Sequence, residues 1–352
     1  MALAHLRFAA MPVVTVDATD AHALALRGWG RYTARLLGAL PAAADGLQLN
    51  FVSRSTPGPE FVWEQVGLAR AARRAGSAVL HAPNCFLPLR RSCPGVVTVH
   101  DLAFEAHPED FGRLTALKFR AVAPRAARSA ERIICVSRFT AEDLQRRYGI
   151  GPERVRVIPL APALPRRGRR SAGSRPQDAG PYVLGVGDLR GKKDFACLVR
   201  AWRSLRREGL PHRLVLAGLD AGEGPRLRAA AGEEPLELTG YIEDADLDAL
   251  LADADVLVHP SRYEGFGLVV VEAMARSTPV VAAEATVLPE TGGRAALYFP
   301  PGDDRVLAER MRAALEDRDT REQLIAAGRE RAGSLSWEAT AAATVAVYRE
   351  LV

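Results

Sequence analysis

Short apolar runs alternate along the chain with longer stretches in which apolar residues recur every three or four positions, and the alternation continues from end to end. In the first half the runs at 13–16, 48–52, 79–81, 96–100, 133–136 and 155–158 read as strands. Positions 31–40, 61–75 and 141–148 carry the helical period. The second half repeats the arrangement, with strands predicted at 182–186, 213–217, 236–238, 256–258, 280–282 and 296–299 and helical segments between them. Strands that are apolar along their whole length bury both faces, so each half is expected to be a mostly parallel sheet covered by helices on both sides.

A chain of 352 residues is too long for one small core and fits two domains. The first is expected over 1–164 and the second over 182–335, with the helical stretch at 336–352 returning to the first. Between them, 165–181 is rich in Pro, Gly and Arg and reads as a linker, because it offers nothing to pack. The net charge of +5 is unevenly spread: residues 1–165 hold 21 basic and 13 acidic groups, and the acidic excess lies beyond the linker. The first domain should therefore attract anions, a phosphorylated acceptor or the anionic face of a membrane among them. Aromatic content of 6% without interleaved basic stacking sites argues against nucleic acid. No apolar run is long enough to span a bilayer and the start lacks a secretory pattern, so a cytoplasmic protein, peripheral at most, is expected. Cys85, Cys93, Cys135 and Cys197 are widely spaced, which predicts plain thiols and neither disulfides nor zinc.

In open parallel sheets, ligands sit beyond the carboxyl ends of the strands, and there the polar residues of this chain gather. His100-Asp101 ends one strand; Gly187 to Lys193 follows another; Gly218 follows a third; His259-Pro260-Ser261 leads into Tyr263-Glu264-Gly265-Phe266-Gly267-Leu268, with a second acid at Glu272. Only three lysines occur against forty-four arginines, which sets the adjacent Lys192 and Lys193 apart. They suit a diphosphate, although an exposed charged loop reads equally well. Glycines ahead of the helix near Gly267 expose amides to a phosphate, and Glu264 and Glu272 can each accept from sugar or ribose hydroxyls. Glu272 also reads as a helix-surface acid, and His100 as a satisfied core histidine. Gly28 and Gly30 precede a helix in the basic half, a weak signal by themselves. Asp244, Asp246 and Asp248 mimic a metal alternation, but on a helix their directions diverge. The complete dinucleotide and P-loop glycine patterns are absent.

Taken together, Gly28-Trp29-Gly30-Arg31-Tyr32, Val97-Thr98-Val99-His100-Asp101, Lys192-Lys193, Gly240-Tyr241-Ile242, the Glu264 to Glu272 segment and Thr278-Pro279-Val280-Val281 resemble the large retaining glycosyltransferase family 4 (glycosyl transferases group 1), notably its bacterial mannosyltransferase-like members. The resemblance covers nearly the whole chain. It implies a GT-B fold, two doubly wound Rossmann-like domains facing across a cleft, and transfer of a hexose such as mannose from a nucleotide-diphosphate sugar to a hydroxyl of a glycan or lipid-linked saccharide. It implies that Glu264 and His100 meet the transferred sugar and that Lys192 and Lys193 hold the diphosphate. Glu272 would hold the ribose, and Phe266, Gly267 and Leu268 would contribute backbone contacts. Gly28 and Gly30 would close over phosphate, and Gly187, Gly218, Tyr241 and Ile242 would complete the donor pocket. No cofactor and no metal are expected.

Lys192 stands where relatives commonly have arginine, losing a bidentate fork. Arg276 and Ser277 replace a small residue and a glycine; Ser277 strains its turn if positive φ is required there, and Arg276 is expected at the pocket rim. Two alternatives stay open, a nucleotide-sugar epimerase and a nucleotide-sugar-binding regulator without transferase activity.

Overall fold

A computed structural model describes residues 11–23, 26–54, 58–165 and 180–352. The first domain contains β1 (Val13–Asp17), β2 (Gln48–Val52), β3 (Val79–Ala82), β4 (Gly95–Val99), β5 (Arg132–Cys135) and β6 (Val155–Val157), in the order β2-β1-β3-β4-β5-β6. The second contains β7 (Tyr182–Val186), β8 (Arg213–Ala217), β9 (Leu236–Gly240), β10 (Val256–His259), β11 (Val280–Ala283) and β12 (Leu297–Phe299), in the order β12-β11-β10-β7-β8-β9. Every pairing within these sheets is parallel. Each of the twelve apolar runs lies on a strand. The runs ending at His100, Val136 and Ile158 overshoot by one residue, where the chain turns from the ladder toward the cleft.

Two Rossmann-like α/β domains thus face one another across a cleft in the GT-B arrangement. In each sheet the chain winds first to one side and then to the other, with the reversal between β1 and β3 and between β7 and β10. Such a reversal opens a crevice at the carboxyl ends of the strands.

The helix expected at 31–40 begins earlier and spans Gly28–Ala43. The stretch expected at 61–75 is helical but broken by a π-turn at Trp63–Gly67, from which the Trp63 indole reaches the Asp17 carboxylate at 3.3 Å. Of the expected linker, 166–179 falls outside the described residues. Helices Asp304–Glu316 and Arg318–Gly333 cover the second domain, whereas Trp337–Arg349 packs on the first. There Tyr348 shares a 2.6 Å hydrogen bond with His81, and the Trp337 indole donates to the Pro162 carbonyl. Phe266 and Val271 of the second domain enter the same core as Tyr32, Leu36 and Tyr348, so the domains share apolar packing as well as a cleft. The four cysteines are unpaired thiols. Among the described residues no helix is long and apolar enough to cross a membrane.

Candidate functional site

A cavity of about 540 Å³ lies between the domains. The first domain lines it with the start of helix Gly28–Ala43 and with Asp101, Phe104, Phe111 and Phe119. The second contributes Gly187, Lys192, Lys193, Gly218, Tyr241 and Ile242. Eight of the fourteen predicted site residues therefore meet there, from five separate stretches of chain. His100, Glu264, Phe266, Gly267, Leu268 and Glu272 do not line it.

Close backbone approach explains two of the glycines. A Cβ at Gly218, whose φ is +155°, would fall 2.1 Å from the Gly187 carbonyl oxygen, so only glycine lets the ends of β7 and β8 pass. A Cβ at Gly265 would fall 1.7 Å from the carbonyl oxygen of His100. There the two domains touch backbone to backbone, and Ser137 donates to the Gly265 carbonyl at 2.7 Å.

The two lysines differ in what they hold. Lys193 forms an ion pair with the Glu264 carboxylate, which also accepts from Ser261 at 2.8 Å and lies 3.3 Å from His259 Nε2. Burial would push the Glu264 carboxyl up, but the Lys193 ammonium, with His259 and Lys192 behind it, holds it well below the usual carboxylate range. It is an anion poised to accept from hydroxyls. Lys192 Nζ has no hydrogen-bonding partner among the described residues and stands 5.9 Å over the Tyr263 ring, lining the cavity. Burial disfavours its charge, yet Asp101, Glu264 and Asp110 more than compensate and raise its pKa. A cation kept in place by acids at a distance is available to a phosphate.

The lysine loop is itself pinned across the cleft. Asp110 accepts from the Lys192 amide at 2.9 Å, and Arg190 donates to the Asp110 carbonyl. Arg27 pairs with Asp188 at 3.2 Å, and Arg31 reaches Asp244 through Nε at 2.9 Å and Nη2 at 2.6 Å. The first turn of helix Gly28–Ala43 lines the same cavity as Lys192, so a positive helix end and a cation border one space.

His100 lies behind this wall. Its Nε2 bonds the Pro83 carbonyl at 2.9 Å, its ring stacks on Trp29 with centroids 5.6 Å apart, and burial lowers its pKa to about 4. Thus a neutral imidazole supports the Trp29 face of the cavity. Phe266 is buried in the shared core, and Gly267 caps helix Leu268–Ala275 in the left-handed conformation.

Glu272 is 3% exposed. One oxygen accepts from the Ala163 and Leu164 amides and the other from Arg276 Nη1 at 2.8 Å. Arg276 is therefore not at the rim; it is buried between Glu272 and Asp248, which accepts from its Nε at 2.6 Å. Ser277 does adopt the strained turn, with φ of 68°. Asp244 and Asp248 are spent on Arg31 and Arg276, and no three metal-ligating side chains converge among the described residues.

Sequence reasoning overlooked Asp110 and Thr286, and gave Asp188 and Arg190 no role of their own within the Gly187 to Lys193 stretch. Thr286 accepts from the Glu264 amide at 3.2 Å while holding φ at 49°, unfavourable for a β-branched residue. Such a cost beside Glu264 marks a loop held by its surroundings. Asp194, directly after the lysine pair, is also at positive φ.

Facing Rossmann-like domains with strand-end lysines in the cavity between them are the arrangement expected of a nucleotide-sugar-dependent glycosyltransferase, and the relatives of the chain are of that class. Residues 44–161 match Glycosyltransferase Family 4 and residues 169–331 match Glycosyl transferases group 1. The chain is 31% identical over 298 residues to the O-antigen chain mannosyltransferase B of Escherichia coli, covering 80% of this chain and 77% of that protein. It is also 31% identical to the MMP alpha-(1->4)-mannosyltransferase of Mycolicibacterium hassiacum, covering 84% and 76%. The chain belongs to this glycosyltransferase family, and it transfers a sugar from a nucleotide-diphosphate donor to an acceptor. The fold is shared with the sucrose-phosphate synthase of Thermosynechococcus elongatus, at 24% identity and a TM-score of 0.75 over 97% of this chain and 99% of that one. Anabaena Alr3699/HepE, solved with UDP and glucose, shares it at 20% identity and a TM-score of 0.71 over 97% and 100%.

Proposed function

We propose that the chain moves a hexose, mannose by analogy with its relatives, onto a hydroxyl of a glycan or lipid-linked saccharide with retention at the anomeric carbon. The observation that carries this reading is that the unbonded Lys192 ammonium of one domain and the helix start at Gly28 and Gly30 of the other line a single cavity. The diphosphate bridges them. Gly218, Tyr241 and Ile242 receive the base, and Gly187 lies beside the phosphates. Glu264, ionised and aligned by Ser261 and Lys193, accepts from hydroxyls of the transferred sugar. His100 acts by holding Trp29.

As the sugar–phosphate bond breaks, Lys192 and the helix-end amides take up the negative charge of the leaving diphosphate. The acceptor oxygen bonds to the anomeric carbon on the same face, and its proton passes to a departing phosphate oxygen. For Glu272, a ribose role has at most the acceptor position that Oε2 keeps beside Arg276. A 2′-deoxyribose donor tests it: equal use of both donors by wild type removes the role.

The basic first domain faces the acceptor, and contact with anionic lipid at the inner face of the cell membrane belongs to the same reading. Incubation with labelled nucleotide sugars and acceptor glycans should give transfer with saturable donor binding. Donor conversion without acceptor would instead identify an epimerase, and tight donor binding without product a regulator.

A further inference from the structure

Among the described residues eleven large apolar side chains are exposed, and six of them, Phe61, Val62, Val66, Leu89, Leu114 and Leu117, belong to neighbouring segments of the first domain. Hydrogen bonds bring these segments together. Lys118 reaches Glu64 at 2.8 Å and Glu60 at 3.3 Å, which sets the start of helix Arg113–Ser129 beside the helical stretch from Glu60, while Gln65 accepts from the Leu89 amide at 3.2 Å. Leu114 is 84% exposed and Leu117 is 67% exposed. A helix that turns leucines to water one turn from its start buries no apolar area by doing so, and grouped exposure of this kind marks a contact surface.

The polar residues around these side chains say what the contact is. Arg113 adjoins Leu114, Arg90 adjoins Leu89, and Arg70 lies one helical turn beyond Val66. All three are exposed, and none pairs with an acid among the described residues. The nearby acids are already held: Glu60 and Glu64 by Lys118, and Glu109 by His107. Apolar side chains ringed by uncompensated arginines suit a surface that is anionic outside and hydrocarbon beneath.

We propose that this face docks on an anionic lipid bilayer, with Leu114 and Leu117 entering the acyl boundary and Arg70, Arg90 and Arg113 meeting phosphate headgroups. The same helix that shows Leu114 and Leu117 to the outside turns Phe119 into the cavity, where it packs on Phe86 and Phe104 at 4.7 and 5.0 Å. Docking therefore brings the acceptor side of the cleft to the membrane. The inference rests on the reading of a lipid-linked acceptor for its purpose, while the docking itself is independent of it.

The test is co-sedimentation of the full chain with vesicles of phosphatidylcholine alone or with about one third phosphatidylglycerol. Binding is expected on the anionic vesicles, at least about tenfold tighter than on neutral ones and weakening with salt. Leu114→Ser/Leu117→Ser and Arg90→Glu/Arg113→Glu should each reduce it at least about tenfold. Both variants should keep the wild-type thermal shift with a nucleotide-sugar donor, which separates this surface from the donor site. No wild-type binding to anionic vesicles, or wild-type binding by the leucine variant, overturns the proposal. So does self-association of the wild type, seen by light scattering and abolished by the leucine substitutions. A donor panel without any thermal shift would count against the transferase reading instead, leaving vesicle binding to stand or fall separately.

Discussion

Glu264 and Glu272 stand eight positions apart on one strand-to-helix segment, yet their surroundings give them opposite characters. Glu264 is held beside Lys193, Ser261 and His259 at the lysine loop, its carboxyl driven well below the usual range. Glu272 lies in the seam, where burial raises its pKa against the opposing effects of Arg276 and the Ala163 and Leu164 amides. Glu264 keeps its charge beside the cavity lysines, and Glu272 fastens the segment leaving the first domain to helix Leu268–Ala275, which carries it. A pair of acids in a sequence motif can thus divide between chemistry and architecture.

The largest effect should come from dismantling the architectural half. Arg276→Ala leaves Glu272 and Asp248 buried without their cation and should cost about 3–5 kcal/mol of stability, read by denaturant unfolding. A loss below about 1 kcal/mol would place the triad among pairs of little consequence.

Next comes the chemical half. Glu264→Ala should lower turnover roughly 10²–10³-fold, in the range known for a single group acting on developing charge or its positioning. Its unfolding midpoint should fall less than that of Arg276→Ala, because it strands one cation, Lys193, where Arg276→Ala strands two buried carboxylates. If the two variants changed places in these measurements, the division between the acids would be reversed.

Ser277→Gly should be smaller still. It relieves a left-handed serine, worth about 1 kcal/mol, but gives up the 2.7 Å bond from Arg329, so a modest net gain in stability is expected. A clear loss would show that the bond outweighs the backbone.

The remaining effect is one of pH. Burial pushes Glu64 up to about 7 despite Lys118 at 2.8 Å. The folded chain then binds a proton that the unfolded chain has released, so stability should fall as pH rises from roughly 4.5 towards 7. Glu264 has the opposite sign: its contribution is present above the unfolded carboxylate value and is lost as pH falls through its depressed folded one. Glu64→Gln should flatten the near-neutral slope alone, as thermal unfolding at several pH values would show.

The strands were legible because a parallel strand buried on both faces must be apolar along its length. The strand-end rule then located Lys192, Lys193, Gly187 and Gly218 without any knowledge of packing. Ser277 was legible too, since a turn that ordinarily takes glycine advertises its positive φ. What stayed hidden depends on partners remote in sequence. Arg276 looked like a rim residue because nothing near it announces Asp248, and Asp110 gave no sign that it would grip the lysine loop from the opposite domain. His100 shows the same limit: a strand-end histidine suggests contact with substrate, and nothing in the sequence announces its stacking on Trp29 or its bond to the Pro83 carbonyl.

Calorimetric titration of a nucleotide sugar into wild type and Lys192→Ala/Lys193→Ala tests most directly whether the lysine loop after β7 holds the donor diphosphate. Saturable binding to wild type, weakened roughly 100-fold or more in a variant that remains folded, is the predicted result. Equal affinity in the two proteins would contradict it.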